Sequence, residues 1–222
     1  MAQKIITFAN HKGGVSKTTS TASIGACMAM KGKKVLLIDL DGQANLTLYF
    51  IPNEDEIETS IFDSLVNGVP LPVKHIRENL DLVPSSLEMA SAEIALTNLL
   101  AREQLLSRLL EPLRKDYDYI LIDCPPSLGI VTTNAFIAAD EIIVPMTPEP
   151  VSYTHLDVYK RQAPCRVANV LRYEWNVIFF VIPAERIHSF MGTWGQHLFK
   201  PLNTKPFFSG EYSICLLYTS RE

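Results

Sequence analysis

Residues 4–19 read Lys-Ile-Ile-Thr-Phe-Ala-Asn-His-Lys-Gly-Gly-Val-Ser-Lys-Thr-Thr, and no other stretch restricts the fold so sharply. Lys4 to Ala9 is a short β-branched and aromatic run with the composition of a strand, and the sequence up to Met30 is helical in character. Between them lies a turn with two adjacent glycines. Lys31-Gly32 then stops the helix, with a cation in the last turn and glycine beyond it. A strand that passes through a tight turn into a helix opens a right-handed crossover, so an α/β fold with a mostly parallel sheet flanked by helices is expected.

The next segments continue that alternation. Val35 to Ile38 is a continuous apolar run, as a strand buried on both faces requires, and it ends in Asp39-Leu40-Asp41. Leu80 to Val83 is a weaker strand. Ser85 or Ser86 is placed to cap one long helix carrying Leu96, Leu99, Leu100, Leu106, Leu109, Leu110 and Leu113, with Pro112 kinking or ending it. Tyr119 to Ile122 is a third clear strand, closed by Asp123, and Glu141 to Met146 is a fourth after a helix around Ile130 to Ala139. With 47% hydrophobic and 20% charged residues in 222, disorder and simple coiled coils are excluded. No apolar run reaches the roughly 18 residues of a membrane span, and the N-terminus lacks the layout of a secretory signal, so a cytoplasmic protein with no membrane attachment is expected. Cys27, Cys124, Cys165 and Cys215 form no C-x-x-C pair, which argues against zinc-ribbon or iron–sulfur chemistry and for buried thiols.

Ligands of parallel α/β sheets collect beyond the carboxyl ends of the strands, and three motifs fall there. In Gly13-Gly14-Val15-Ser16-Lys17-Thr18, successive backbone N–H groups and a helix start form an anion nest suited to polyphosphate. Lys17 is expected to hold the β and γ phosphates and the Thr18 hydroxyl to bind Mg²⁺. The G-x-x-x-x-G-K-[ST] pattern is not fully met, because Ser16 stands where its second glycine belongs. In Asp39-Leu40-Asp41, strand alternation puts both carboxylates on one side, one near a metal and one near an attacking water. Asp123, at the tip of a buried strand, is the expected Mg²⁺ partner through water.

These three motifs, in this order, resemble the deviant Walker A, Walker A′ and Walker B/switch II motifs of the ParA/Soj partition ATPases of the ParA/MinD superfamily. The resembling stretches are Lys12-Gly-Gly-Val-Ser-Lys17-Thr-Thr19, Leu37-Ile-Asp39-Leu-Asp41-Gly-Gln-Ala-Asn45 and Tyr119-Ile-Leu-Ile-Asp123-Cys-Pro-Pro-Ser-Leu-Gly129. The resemblance implies a P-loop NTPase fold, ATP and Mg²⁺ as cofactors, and an ATP-dependent dimer switch acting on DNA in plasmid or chromosome partitioning. It implies nucleotide contacts from Lys12, Gly13, Gly14, Val15, Ser16, Lys17, Thr18 and Thr19, a metal site at Thr18, Asp39 and Asp123, and catalysis by Lys12, Lys17 and Asp41. Lys12 would reach the partner's phosphates across an ATP-bound homodimer, and Asp41 would help to activate water. Non-specific DNA and a ParB-type stimulating protein are the implied partners. Ser16 and Gly42 depart from the commoner Gly and Pro of the family. A MinD-like membrane-associated ATPase or a nucleotide-sensing regulator is the alternative reading.

The resemblance covers residues 1 to about 150, and the chain then changes in kind. Residues 1–150 carry 12 Lys and Arg against 19 Asp and Glu, whereas residues 151–222 carry 8 against 5. Val151 to Gln162 has neither helical nor strand period and can be encoded by the word GTCTCTTATACACATCT followed by its reverse complement and AG. Cys215 to Ser220 can be encoded by the same word in another frame. The word resembles the transposase end used in sequencing libraries. The expected organisation is therefore the N-terminal part of a ParA-like domain over 1–150, an adapter-derived junction over 151–162, and an unrelated segment over 163–222. On this reading the sheet is truncated after about residue 150 and the chain as written is a non-functional chimera. Arg166, Arg172 and Arg186 then read as solvated surface rather than a DNA patch, and His188 and His197 match no zinc spacing. Trp175 to Ile182 reads as a strand or an adhesive apolar run.

Overall fold

A computed structural model describes residues 3–146, 169–172 and 178–183 of the chain. The junction peptide Val151–Gln162, the Cys215–Ser220 peptide, Cys165, Arg166, Arg186, His188 and His197 lie outside those residues. The sheet has the order β3-β4-β2-β5-β1-β6-β8-β7. Its strands are β1 (Lys4–Phe8), β2 (Val35–Asp39), β3 (Lys74–Arg77), β4 (Leu80–Val83), β5 (Tyr119–Asp123), β6 (Glu141–Met146), β7 (Asn169–Arg172) and β8 (Ile178–Pro183). The five strands β4-β2-β5-β1-β6 are mutually parallel, and β3 joins β4 as an antiparallel hairpin. On the other edge β8 and β7 continue the sheet in antiparallel sense, so two short strands from beyond residue 150 extend it.

The apolar runs explain the layering. In β2, Leu36 and Ile38 face a cluster containing Ile120, Ile122, Leu106 and Ala135, while Val35 and Leu37 face a second cluster with Leu121, Ala22 and Leu46. Alternation along one strand thus feeds two cores, which is why the run shows no polar alternation. One face is covered by α1 (Lys17–Met30) and α2 (Asn45–Phe50). The other is covered by α3 (Ile61–Asn67), α4 (Ala92–Ala95), α5 (Leu105–Leu110) and α6 (Ile130–Ala138). Helix α1 lies so close to β2 that a β-carbon at Gly25 would run into the Leu37 side chain.

The four clear strands and the helices around them follow the sequence reading. The single long leucine-rich helix does not form. Residues 87–116 break into a 3₁₀ turn, α4, a second 3₁₀ turn entered through Ala101 in the left-handed region, α5 and a third 3₁₀ turn that holds Pro112. Bending lets Leu96, Leu106 and Leu110 all enter one core while Leu100 stays exposed, and the Asn134 amide holds the bend by bonding to the Arg102 carbonyl and the Leu106 N–H. Helix α3 carries a capping box, Ser60 with Asp63.

Candidate functional site

The register of β1, β5 and β2 builds the site. Phe8 is opposite Asp123, and Asp123 is opposite Asp39, so the three strands end level at their carboxyl edge. The chain leaving β1 is pinned there: the Ala9 N–H donates to the Ile143 carbonyl, the Asn10 amide to the Pro145 carbonyl, and the Lys12 N–H back to the Asn10 side chain.

The turn that follows contains two left-handed residues, Gly14 (φ 72°) and Ser16 (φ 64°). Glycine is the usual occupant before the lysine for this reason, since a left-handed conformation strains any residue with a β-carbon. Ser16 caps α1 with no side-chain hydrogen bond, so its hydroxyl does not occupy the first N–H groups of the helix. Those donors, with the helix dipole behind them, suit an anion. Val15 is buried beneath the turn, while Gly13, Gly14 and Thr19 are exposed. Lys17 is buried, and its Nζ folds back toward the Lys12 carbonyl at 3.4 Å. Ser16→Gly is expected to stabilise the protein by roughly 1 kcal/mol through release of this strain. Urea unfolding would show a higher midpoint at unchanged slope, and a lower midpoint would contradict it.

The acidic residues divide into different roles. Asp39 and Asp123 are both fully buried. Asp39 uses both carboxylate oxygens on protein donors: Oδ1 accepts the Asp41 N–H at 3.0 Å, and Oδ2 accepts the Thr47 N–H at 2.9 Å and its hydroxyl at 2.8 Å. Strand β2 ends at Asp39, so Asp41 lies just beyond the alternating strand, and the charges of Asp39 and Asp41 both bear on Asp123. The Asp39 carboxylate accepts the Asp41 N–H and so turns the backbone directly after the strand. Asp39 thereby anchors the loop and the start of α2, which competes with its expected place at a metal. Asp41 is half-buried. Its Oδ1 accepts the Gln43 N–H and its carbonyl accepts the Ser85 hydroxyl.

Asp123 is different, because neither carboxylate oxygen has a hydrogen-bond partner among the described residues. Burial pushes its pKa up to about 8, the charges of Asp39 and Asp41 push the same way, and the Thr18 hydroxyl and the Lys17 ammonium oppose the shift. Thr18, half-buried at the start of α1, therefore biases the carboxylate without meeting hydrogen-bond geometry. Burial raises Asp39 to about 6, with the Thr47 and Asp41 hydrogen bonds pulling it down, and it also raises the Cys124 thiol. A buried carboxylate with unsatisfied oxygens beside a hydroxyl is a donor set that suits a hard divalent cation such as Mg²⁺. The structure thus brings together Gly13 to Thr18, Asp39, Asp41 and Asp123. Lys12 sits on the exposed outer part of the turn. Thr47, Ser85 and Asn10 belong to the site as supports, and nothing local in the sequence marks them.

Comparison with known proteins agrees with this arrangement. A family model described as an AAA domain matches residues 3–160. The sporulation initiation inhibitor protein Soj of Bacillus subtilis is 43% identical over 150 residues, which cover 66% of this chain and 59% of Soj. The chain therefore spans about three-fifths of the length of that relative. Among solved structures, cobyrinic acid a,c-diamide synthase from Mycobacterium smegmatis with bound ATP analog and magnesium is similar at TM-score 0.64 and 37% identity. That likeness covers 70% of this chain and 66% of the synthase. A plasmid partition protein from Borrelia burgdorferi B31 bound to AMPPNP is similar at TM-score 0.64 and 35% identity, over 72% of this chain and 69% of that protein. No helix among the described residues is long and apolar enough to cross a membrane.

Proposed function

Because the chain belongs to the AAA-domain family matched over residues 3–160, in its ParA/Soj partition branch, we propose that its site binds ATP with Mg²⁺ and hydrolyses it to ADP and phosphate. The observation that carries this reading is Asp123, buried with both oxygens unsatisfied at the strand end that faces Lys17 and Thr18. Backbone N–H groups of residues 13–19 hold the phosphates, Lys17 neutralises the β and γ groups, and Thr18 with Asp123 holds the metal. When bound, Mg²⁺ neutralises charge on the phosphate oxygens. Asp41, half-exposed at the rim, orients the attacking water, and Lys12 on the outer turn serves a second copy of the chain. Asp39 supports Asp41 and α2, and as a metal partner it would act through water.

The same reading gives the biological role: ATP binding favours a homodimer that holds non-specific DNA, and a ParB-type partner stimulates hydrolysis and release. Steady-state phosphate release and light scattering, with and without Mg²⁺, ATP and random duplex DNA, test it. Mg²⁺-dependent turnover with an ATP-dependent doubling of mass supports it; a chain that neither turns over ATP nor changes mass sinks it. We also propose that residues 151–222 are foreign to the domain. The shared coding word and the extent of the Soj match support this, while the family match runs into the junction. One continuous gene without the word, read across codon 151 in the source DNA, would overturn it.

A further inference from the structure

Helix α6 follows the loop that leaves Asp123, and its first residue, Ile130, is preceded by Gly129, which has no side chain to cap it. The cap comes from elsewhere. Glu93, on α4, places Oε2 at 2.9 Å from the Ile130 N–H, and its carboxylate sits so closely over Gly129 that a β-carbon there would collide with it. A carboxylate at this position also meets the positive end of the helix dipole.

The segment that carries Glu93 is fastened at its other end to the acidic motif. The Ser85 hydroxyl donates to the Asp41 carbonyl at 2.8 Å, and the Ser85 N–H donates to the Thr47 hydroxyl, the same hydroxyl that donates to Asp39. Gly42 abuts this segment: a β-carbon at Gly42 would come within 2.8 Å of the Ala90 nitrogen. Residues 85–93 therefore form a strut between the loop after β2 and the loop after β5. The body of α6 is held independently, by the Asn134 amide bonding to Leu106 and Arg102.

We infer that Glu93 is a positioning residue: by capping α6 it fixes the loop between Asp123 and Ile130 relative to Asp41, a role that rests on the hydrolytic reading above. Glu93 touches neither phosphate nor metal in this scheme. Its loss is expected to free the first turn of α6 without unfolding the helix, because Asn134 remains bonded.

Amide hydrogen exchange of the full chain without nucleotide, read by NMR for the parent, Glu93→Ala and Glu93→Gln, tests the inference together with ATP turnover. Glu93→Ala is expected to speed exchange at Ile130 by about fivefold while Ala135 keeps the parent rate, and Glu93→Gln, which keeps the acceptor, restores most of the protection. In turnover, Glu93→Ala is expected to lower kcat about fivefold or more, with KM for ATP within about twofold of the parent. Parent-like exchange at Ile130 in Glu93→Ala would overturn the inference, as would a loosened Ile130 with unchanged kcat. If the parent itself hydrolyses no ATP, the hydrolytic reading falls alone, and the exchange rates still decide whether Glu93 holds the loop.

Discussion

Lys17→Ala is expected to remove most of the rise in unfolding temperature that ATP with Mg²⁺ gives the parent chain. A ligand at a hundred times its dissociation constant adds about 2.7 kcal/mol to folding, so the parent transition moves by several degrees. Lys17 is buried at the first position of α1, and its ammonium folds over the turn proposed to receive the phosphates. Without it, the triphosphate meets three carboxylates, Asp39, Asp41 and Asp123, with the nearest buried cation gone. Affinity is expected to fall at least about 100-fold, which leaves at most about 0.4 kcal/mol of that stabilisation at the same concentration. Differential scanning calorimetry of parent and variant, with and without ATP and Mg²⁺, checks this. An equal shift in both proteins would place the nucleotide elsewhere.

Asp123→Asn is expected to act in opposite directions on stability and activity. The carboxyl has its pKa raised from the ordinary 3.8 to about 8, so between these values the folded state binds more protons than the unfolded state. Stability without nucleotide is therefore fully present below about pH 4 and declines as pH rises toward 8, by at most about 1.4 kcal/mol per pH unit for one proton. Asparagine cannot ionise, and the variant should lose this slope. At pH 8.5 it is expected to exceed the parent by about 2 kcal/mol in the absence of Mg²⁺, while hydrolysis falls about 100-fold. Denaturant unfolding from pH 5 to 8.5, paired with phosphate release, tests both halves. A variant as pH-sensitive as the parent would remove Asp123 as the source of the slope, and full activity would remove it from the metal.

Such a trade explains why the strand ends were legible in the sequence. Val35 to Ile38 and Tyr119 to Ile122 are apolar throughout because both faces of the sheet are covered, so an aspartate at the tip of each stands out against its neighbours. Lys17 and Thr18 are legible as the start of α1 because a local turn places them there. The leucine-rich segment misled because spacing alone does not distinguish one helix from two short ones folded onto the same core; the break depends on Asn134, far away in sequence. The use of Asp39 as an anchor was hidden for a related reason. Its partner Thr47 comes within reach only after the chain turns through Ala44, a left-handed residue that no glycine announces. Glu93 was likewise invisible, since its partner is a backbone N–H with no sequence signature.

The strand order carries a consequence for biosynthesis. β1 and β2 never pair with each other; each pairs with β5, which is made later than both. A nascent chain that has not yet reached Tyr119 holds the phosphate turn and the Asp39 loop on two unconnected strands. Its apolar faces must wait, solvated or guarded by a chaperone, until the central strand emerges to join them. On the proposed reading, nucleotide would then act as a late ligand of folding, capturing the domain only once Asp123 has been translated and seated between its neighbours.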